Sequence, residues 1–225
     1  GLSLTLRRCG CTPVGNCIGE RGCLCCIHCS HWRVGSIGFD GMRMLHRIAI
    51  TGVECTGKST LAAGLAEALD AVLIDEAARF DAEVISGRVQ ISTLERLGRI
   101  QFKRCLEAEV SARQTGRFHV ITDTDATVLS LWAEHAWGQK LAGLEAFARW
   151  PQFTLLCAPT IPWVADPLRN LPLESDRWAL HEKYQRQVEA SGPWGLVDAA
   201  TPQKRLDQAV RAFLHFASNS GGASE

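Results

Sequence analysis

The chain has no excess of either charge: 24 lysines and arginines stand against 24 acidic residues over 225 positions. A balanced surface sets up no long-range field to draw in nucleic acid or an anionic membrane. No apolar run approaches the roughly 20 residues that a membrane-spanning helix needs. Nor is there the charged start, apolar stretch and small-residue cleavage site of a secretory leader. The expectation is a cytoplasmic protein with neither nucleic acid nor membrane as partner. Apolar material is not lacking. At 46% hydrophobic residues, the chain can bury one core of ordinary size.

Cysteine is sparse after residue 30 and dense before it, with seven of the ten in the first 30 positions. Residues 1–43 show no sustained period of 2 or 3.6. They carry five arginines against two acids, a net +3, whereas the remainder carries 19 basic and 22 acidic residues, a net −3. Cys26-x-x-Cys29, flanked by His28 and His31, supplies zinc-ligand types, but the two well-spaced pairs of a knuckle or ribbon are missing. A disulfide framework would need an oxidising compartment. The favoured reading is an extension that is disordered or not native to the working domain. That domain would then span residues 44–216, with Met42 and Met44 just ahead of its first strand. Residues 217–225 lack core-forming side chains and read as a disordered tail.

Gly52-Val53-Glu54-Cys55-Thr56-Gly57-Lys58-Ser59 has the form G-x-x-x-x-G-K-[ST]. It lies between an apolar run, Ile48-Ala49-Ile50, and an Ala/Leu-rich helical stretch beginning at Thr60. That strand–loop–helix context separates a working phosphate loop from a string match. The glycines let the chain curl so that backbone N–H groups and the positive end of the new helix face an anion. Lys58 adds a point charge for the β and γ phosphates, and Ser59 a hydroxyl for Mg²⁺. A nucleoside triphosphate is the expected ligand. Cys105 and Cys157 read as small buried hydrophobes; Cys55 sits inside the loop, where oxidation would obstruct a nucleotide.

Beyond His46, strand-like runs at 46–51, 71–75, 118–122, 153–157 and 195–197 alternate with helical stretches at 58–69, 92–114, 127–137, 141–149, 175–190 and 202–216. Such alternation predicts an α/β fold, a parallel five-stranded sheet with helices on both faces. Ser92-x-x-Glu95 fits a capping box for the long helix, Gly116 a stop, and Thr201-Pro202 the start of the last helix. In sheets of this kind ligands collect beyond the carboxyl ends of the strands.

The residues in that position carry chemistry. After the second strand come Asp75, Glu76 and Arg79, a candidate base and a candidate anchor for the acceptor or the transferring phosphoryl group. The alternative is a first-turn carboxylate steadied by a helix dipole, with Arg79 as its partner. After the third come Asp123, the expected Mg²⁺ anchor, and Asp125, either an acceptor-site group or a helix cap. After the fourth, a proline-studded segment holding Trp163, Asp166 and Arg169 leads to Arg177. This reads as a small lid whose arginines reach phosphates, or as a solvated helix with surface pairs. Trp163 would stack on an acceptor ring or fill the core. His135, His181 and His215 have no ligand-like spacing, and the tryptophans at 132, 137, 150 and 178 read as core.

Taken in order, these strings resemble the nicotinamide-riboside kinase family, the kinase half of bifunctional bacterial NAD-biosynthesis regulators, whose free-standing relatives are often labelled AAA-type ATPases. The strings are Gly52–Ser59 with Thr60-Leu61, Glu76-x-Ala78-Arg79, Ile100-Gln101, Asp123-Thr124-Asp125 with Thr127, and Ile161-Pro162-Trp163-Val164-x-Asp166-x-x-Arg169. The resemblance covers about residues 46–215. It implies a P-loop NTPase fold of nucleoside-kinase type and transfer of the γ-phosphoryl of ATP, with Mg²⁺, to the 5′-hydroxyl of nicotinamide riboside. By position it places nucleotide on residues 52–60 with Arg177, and metal on Ser59 and Asp123. Catalysis falls to Lys58, Glu76, Asp123 and Arg169, and the riboside to Arg79, Asp125, Trp163 and Asp166. Ala77 departs from the family, where an aromatic is usual, as does Cys55-Thr56, where two small hydroxyl residues are common. No adenylyltransferase or DNA-binding stretch is read in the chain.

The rival class is a nucleotide-binding switch that hydrolyses ATP or GTP slowly and reports its state to a protein. A switch needs only the loop and Asp123, whereas a kinase also needs acceptor-side acids and lid arginines. A chain beginning at Met44 is expected to melt at the temperature of the full chain and to turn over as fast. Loss of either would give the cysteine-rich segment a metal-binding or packing role.

Overall fold

The computed structural model describes residues 44–220 apart from 166–168 and 170. The zinc-ligand candidates near Cys26 and the candidate Asp166 therefore lie outside the described residues. Strands β1 (His46–Thr51), β2 (Val72–Ile74), β3 (His119–Asp123), β4 (Phe153–Cys157) and β5 (Trp194–Val197) form one sheet in the order β2-β3-β1-β4-β5. Every pairing is parallel. Helices α1 (Lys58–Leu69), α2 (Ala82–Ile85), α3 (Ile91–Gln114), α4 (Ala126–Trp137), α5 (Glu145–Ala148), α6 (Glu174–Ser191) and α7 (Pro202–Ser220) connect the strands, with a 3₁₀ turn at Ala77–Phe80. None of these helices is long and apolar enough to cross a membrane.

The two-residue period of the strands divides the core. Ile48, Ile50, Ile121, Leu155 and Cys157 pack with Leu61 and Leu65 of α1 and Ala209 and Phe213 of α7. Val120 faces the other way, among Leu94, Leu97 and Cys105 of α3, Leu129 of α4, Phe147 and Trp150. A third group joins Val53 and Leu156 to Leu131 of α4 and to Tyr184 and Val188 of α6. A side chain such as Leu65, with no exposed surface, contributes about 2 kcal/mol by burial. Register levels the sheet's carboxyl end: Ile50 pairs with Asp123 on one side, and Thr51 with Leu156 on the other. The residues that follow β1, β3 and β4 therefore emerge side by side.

Several boundaries differ from expectation for physical reasons. The capping box of α3 is made by Gln90 and Thr93 rather than Ser92 and Glu95. The short α2 turn brings the Glu83 carboxylate to the Thr93 hydroxyl and Arg96, drawing the helix start forward. The stretch 141–149 yields only the four residues of α5, because Gly143 at φ +75° breaks it. Helix α7 continues to Ser220, four residues into the stretch read as tail. Ala217 packs on the sheet-side core, and the Ser218 and Ser220 hydroxyls donate to the carbonyls of His215 and Phe216. Gly116 and Thr201 act as stop and cap as expected: Arg117 N–H closes on Ala112 O, and Lys204 N–H on Thr201 Oγ1.

At the opposite, amino end of the sheet, the His46 and His119 rings stack with centroids 5.2 Å apart, and both meet the edge of Phe213. Their Nδ1 atoms are buried without a hydrogen-bond partner. Burial, reinforced by His46 and opposed by Asp70, pulls His119 down to about 4. An unfolded chain takes up this proton near its ordinary 6.5, so stability is lost as pH falls from about 6.5 towards 4. Urea unfolding is expected to show a loss on the order of 2 kcal/mol between pH 7 and 5, and His119→Phe should flatten that slope.

Candidate active site

The sequence 52–59 folds as a loop wrapped around its own backbone. Gly52 has φ +135°, and a Cβ placed there would sit 2.6 Å from the Cys157 carbonyl oxygen, so no other residue fits without moving β4. Cys55 and Gly57 turn the chain at φ +55° and +74°. The Thr56 hydroxyl donates to Val53 O at 2.8 Å, and Lys58 Nζ reaches Gly52 O at 2.9 Å and Val53 O at 2.8 Å. No side chain caps the N-terminus of α1 at Gly57. Its first N–H groups and their share of the helix dipole are left for an external anion.

A cavity of about 370 Å³ opens against this loop. One wall is the loop itself, from Gly52 and Glu54 through Thr60. The next holds Glu76 and Arg79, and a third is apolar and aromatic: Val84, Val128, Trp132, Leu180 and Tyr184, with His135 beside them. Arg169 and Leu171 close one side. Glu76 begins the 3₁₀ turn after β2 and is salt-bridged to Arg79 at 3.2 Å, while the same guanidinium donates to Ser59 Oγ at 2.9 Å. Burial raises the Glu76 carboxyl above the usual carboxylate range; Lys58 opposes this and the Asp123 charge adds to it. That moves it toward the protonation balance of a general base near neutrality.

Three groups at the end of β3 and just after it are separated by their surroundings. Asp123 is buried, and its Oδ1 has no hydrogen-bond partner. A buried carboxylate oxygen left open at the end of β3 suits a hard cation, although Asp123 does not itself line the cavity. Mg²⁺ needs only one or two protein groups when phosphate oxygens and water complete its shell. Thr124 takes φ +124°, which turns the chain into α4. Asp125 caps α4, accepting from Val128 N at 3.0 Å and Thr51 Oγ1 at 2.9 Å. Its acceptor-side expectation is corrected: both bonds point it into the protein, and it does not line the cavity.

The arm after β4 is tied to the phosphate loop. The Glu54 carboxylate accepts from Trp163 Nε1 at 3.2 Å and Leu171 N at 2.7 Å. Cys55 Sγ accepts from Val164 N at 3.3 Å and Arg169 Nη1 at 3.1 Å. Arg169 lines the cavity, whereas Trp163 donates to Glu54 and does not line it. Arg177 departs from expectation too: it is buried and donates to Ile161 O at 3.4 Å, supporting the arm from beneath. Asp75 is exposed and does not line the cavity.

Two kinds of functional residue were given no site role from the sequence. Trp132 and Tyr184 stand in the cavity wall, not solely in the core. Their signal was the i, i+4 pairing with Val128 and Leu180 on helices that approach the site. Gln101 bridges strand ends: its amide accepts from Ala77 N at 2.9 Å and donates to Thr122 Oγ1 at 3.0 Å and Asp75 O at 3.2 Å. Ala77, where the family resemblance leads one to expect an aromatic, is buried beneath that bridge.

Residues 47–201 match the AAA domain family. The chain belongs to that family. No curated protein sequence matches it. Among solved structures, this AAA domain is similar to the NadR protein in complex with NR, at TM-score 0.57 and 20% identity over 77% of this chain and 51% of that one. It is also similar to the NadR protein in complex with NAD and AMP-PNP, at TM-score 0.53 and 21% identity over 77% and 50% of the two chains. Deoxyadenosine kinase from M. mycoides with bound dCTP aligns at TM-score 0.48 and 12% identity, over 75% of this chain and 99% of that one. This AAA domain spans about half the length of the NadR chains it matches. The likeness is one of fold, an α/β domain with a parallel sheet.

Gly52→Ala forces a methyl onto the Cys157 carbonyl at a φ that L side chains rarely adopt. It is expected to cost roughly 2–4 kcal/mol of stability and to abolish nucleotide binding, checked by thermal unfolding and calorimetry.

Proposed function

We propose that this AAA domain is a Mg·ATP-dependent small-molecule kinase of the cytoplasm that phosphorylates the 5′-hydroxyl of nicotinamide riboside. The observation that carries the reading is the composition of the cavity that meets the phosphate loop. Phosphate-binding groups, a desolvated carboxylate and an aromatic wall share a single space. A nucleotide switch would have no use for the last two. Trp132 and Tyr184 would pack against a heteroaromatic ring, and Glu76 and Arg79 line the same cavity. The ordered string resemblance to nicotinamide-riboside kinases and the fold likeness to a NadR protein that binds NR support the same acceptor.

In this mechanism the loop amides and Lys58 hold the triphosphate in line with the acceptor hydroxyl, which is most of what phosphoryl transfer asks of a protein. Ser59 and Asp123 would hold Mg²⁺, which when bound neutralises charge on the phosphate oxygens. Arg79 then releases Ser59 Oγ and turns to the acceptor or the transferring group. Glu76 accepts the hydroxyl proton, its basicity raised by burial. Arg169 is placed by Cys55 and Val164 O to meet developing charge from the arm side.

An ATP-consumption assay over a panel of ribosides, with Lys58→Ala as blank, tests the reading. Nicotinamide riboside is expected to raise turnover well above basal hydrolysis, and Glu76→Gln to lower kcat by about 10²-fold or more. Turnover that no riboside stimulates would remove the kinase and leave the switch.

A further inference from the structure

We infer that Arg205, on α7 and remote from the sequence motifs, is a positioning residue that holds the phosphate loop in its anion-binding form by locking the peptide between Thr56 and Gly57. The inference rests on the nucleotide reading of the loop. Arg205 is only 2% exposed and does not line the cavity. Its guanidinium donates through Nη2 to Thr56 O at 2.8 Å and Ala158 O at 3.2 Å, and through Nη1 to Thr160 Oγ1 at 3.0 Å and Ala199 O at 3.0 Å. One planar group thereby joins the phosphate loop, the exit of β4 and the exit of β5.

The bond to Thr56 O has a consequence on the other side of the peptide. Among the described residues no peptide bond is cis, and in a trans peptide the C=O and the following N–H point in opposite directions. With the Thr56 carbonyl drawn inward to Arg205, the Gly57 N–H is aimed outward, toward the cavity that Thr56 and Gly57 line. Gly57 itself gives no resistance to a flip of this peptide, because glycine accepts either sign of φ. A flipped peptide would present a carbonyl oxygen to the phosphates. Arg205 supplies the resistance that the glycine lacks.

Charge points the same way. The four oxygen acceptors of Arg205 are neutral and the Cys157 thiol beside it is buried with its proton held, so among the described residues no carboxylate is ion-paired to it. A buried cation without a counter-charge is costly, and a polyphosphate on the far side of the loop would offset that cost. Lysine keeps the charge but loses the planar fork that reaches several acceptors at once.

The test uses Arg205→Lys and Arg205→Met, with Mg·ATP and inorganic tripolyphosphate as ligands, in calorimetry well below the melting temperature. Both affinities are expected to fall at least tenfold in Arg205→Lys and further in Arg205→Met. KM for ATP should rise while kcat stays within a few-fold and the acceptor KM is unchanged. A purely structural staple would lower the melting temperature without that split. In the ¹⁵N-labelled wild-type chain the Gly57 amide proton should move downfield on saturation with tripolyphosphate. A folded variant that binds tripolyphosphate as the wild type does, or a Gly57 amide unmoved by it, overturns the inference. If neither variant folds, the Gly57 resonance decides. A wild-type chain that binds no triphosphate overturns this inference and the nucleotide reading together. One that binds triphosphate but serves no acceptor overturns the acceptor reading alone, and Arg205 is then judged on affinity.

Discussion

The contact between Gly52 and the backbone of Cys157 is the constraint from which the site follows. Parallel pairing of β1 with β4 brings the Cys157 carbonyl to where a Cβ of residue 52 would lie, so the chain can leave β1 only through a residue without one. That exit starts the curl that folds Lys58 back over Gly52 O and Val53 O, and it delivers α1 with its first turn uncapped. A loop displaced by a side chain at this point would lose the ammonium and the N–H groups together, because both hang on the same short backbone path.

Around that loop, environment rather than residue type assigns the carboxylates. Asp123 ends β3, and Glu76 and Asp125 lie just beyond strand ends. Desolvation raises the Glu76 carboxyl, while the tie to Arg79 opposes that shift and keeps the group at the cavity. Asp123 is buried with one oxygen open. Asp125 gives its acceptor capacity to Thr51 and the α4 N-terminus, and burial raises its carboxyl in turn. Gln101 keeps the scaffold beneath them in register by joining the turn after β2 to Thr122 of β3. The three acids thus differ in what they can do because they differ in what they touch.

Much of this was legible in one dimension because its physics is local. The G-x-x-x-x-G-K-[ST] spacing, the alternation of strand and helix, and the Gly116 and Thr201-Pro202 boundaries each depend on neighbours within a few residues. Where a boundary was misjudged, a distant partner intervened: Glu83 drew the start of α3 to Gln90, and packing of Ala217 carried α7 to Ser220. Trp163 and Arg177 read as lid groups from spacing alone, yet Glu54 claims the first and Ile161 O the second.

The amino-acid order by itself determined a phosphate loop, a five-stranded parallel sheet and the set of acids at its carboxyl end, since periodicity and turn chemistry need no knowledge of the rest of the chain. Only the tertiary structure decided which acid faces the cavity, that Trp132 and Tyr184 form its wall, and that Arg205 reaches back from α7 to the Thr56 carbonyl. Those outcomes turn on desolvation and on hydrogen bonds between segments 149 residues apart in the extreme case, and neither is encoded in local spacing.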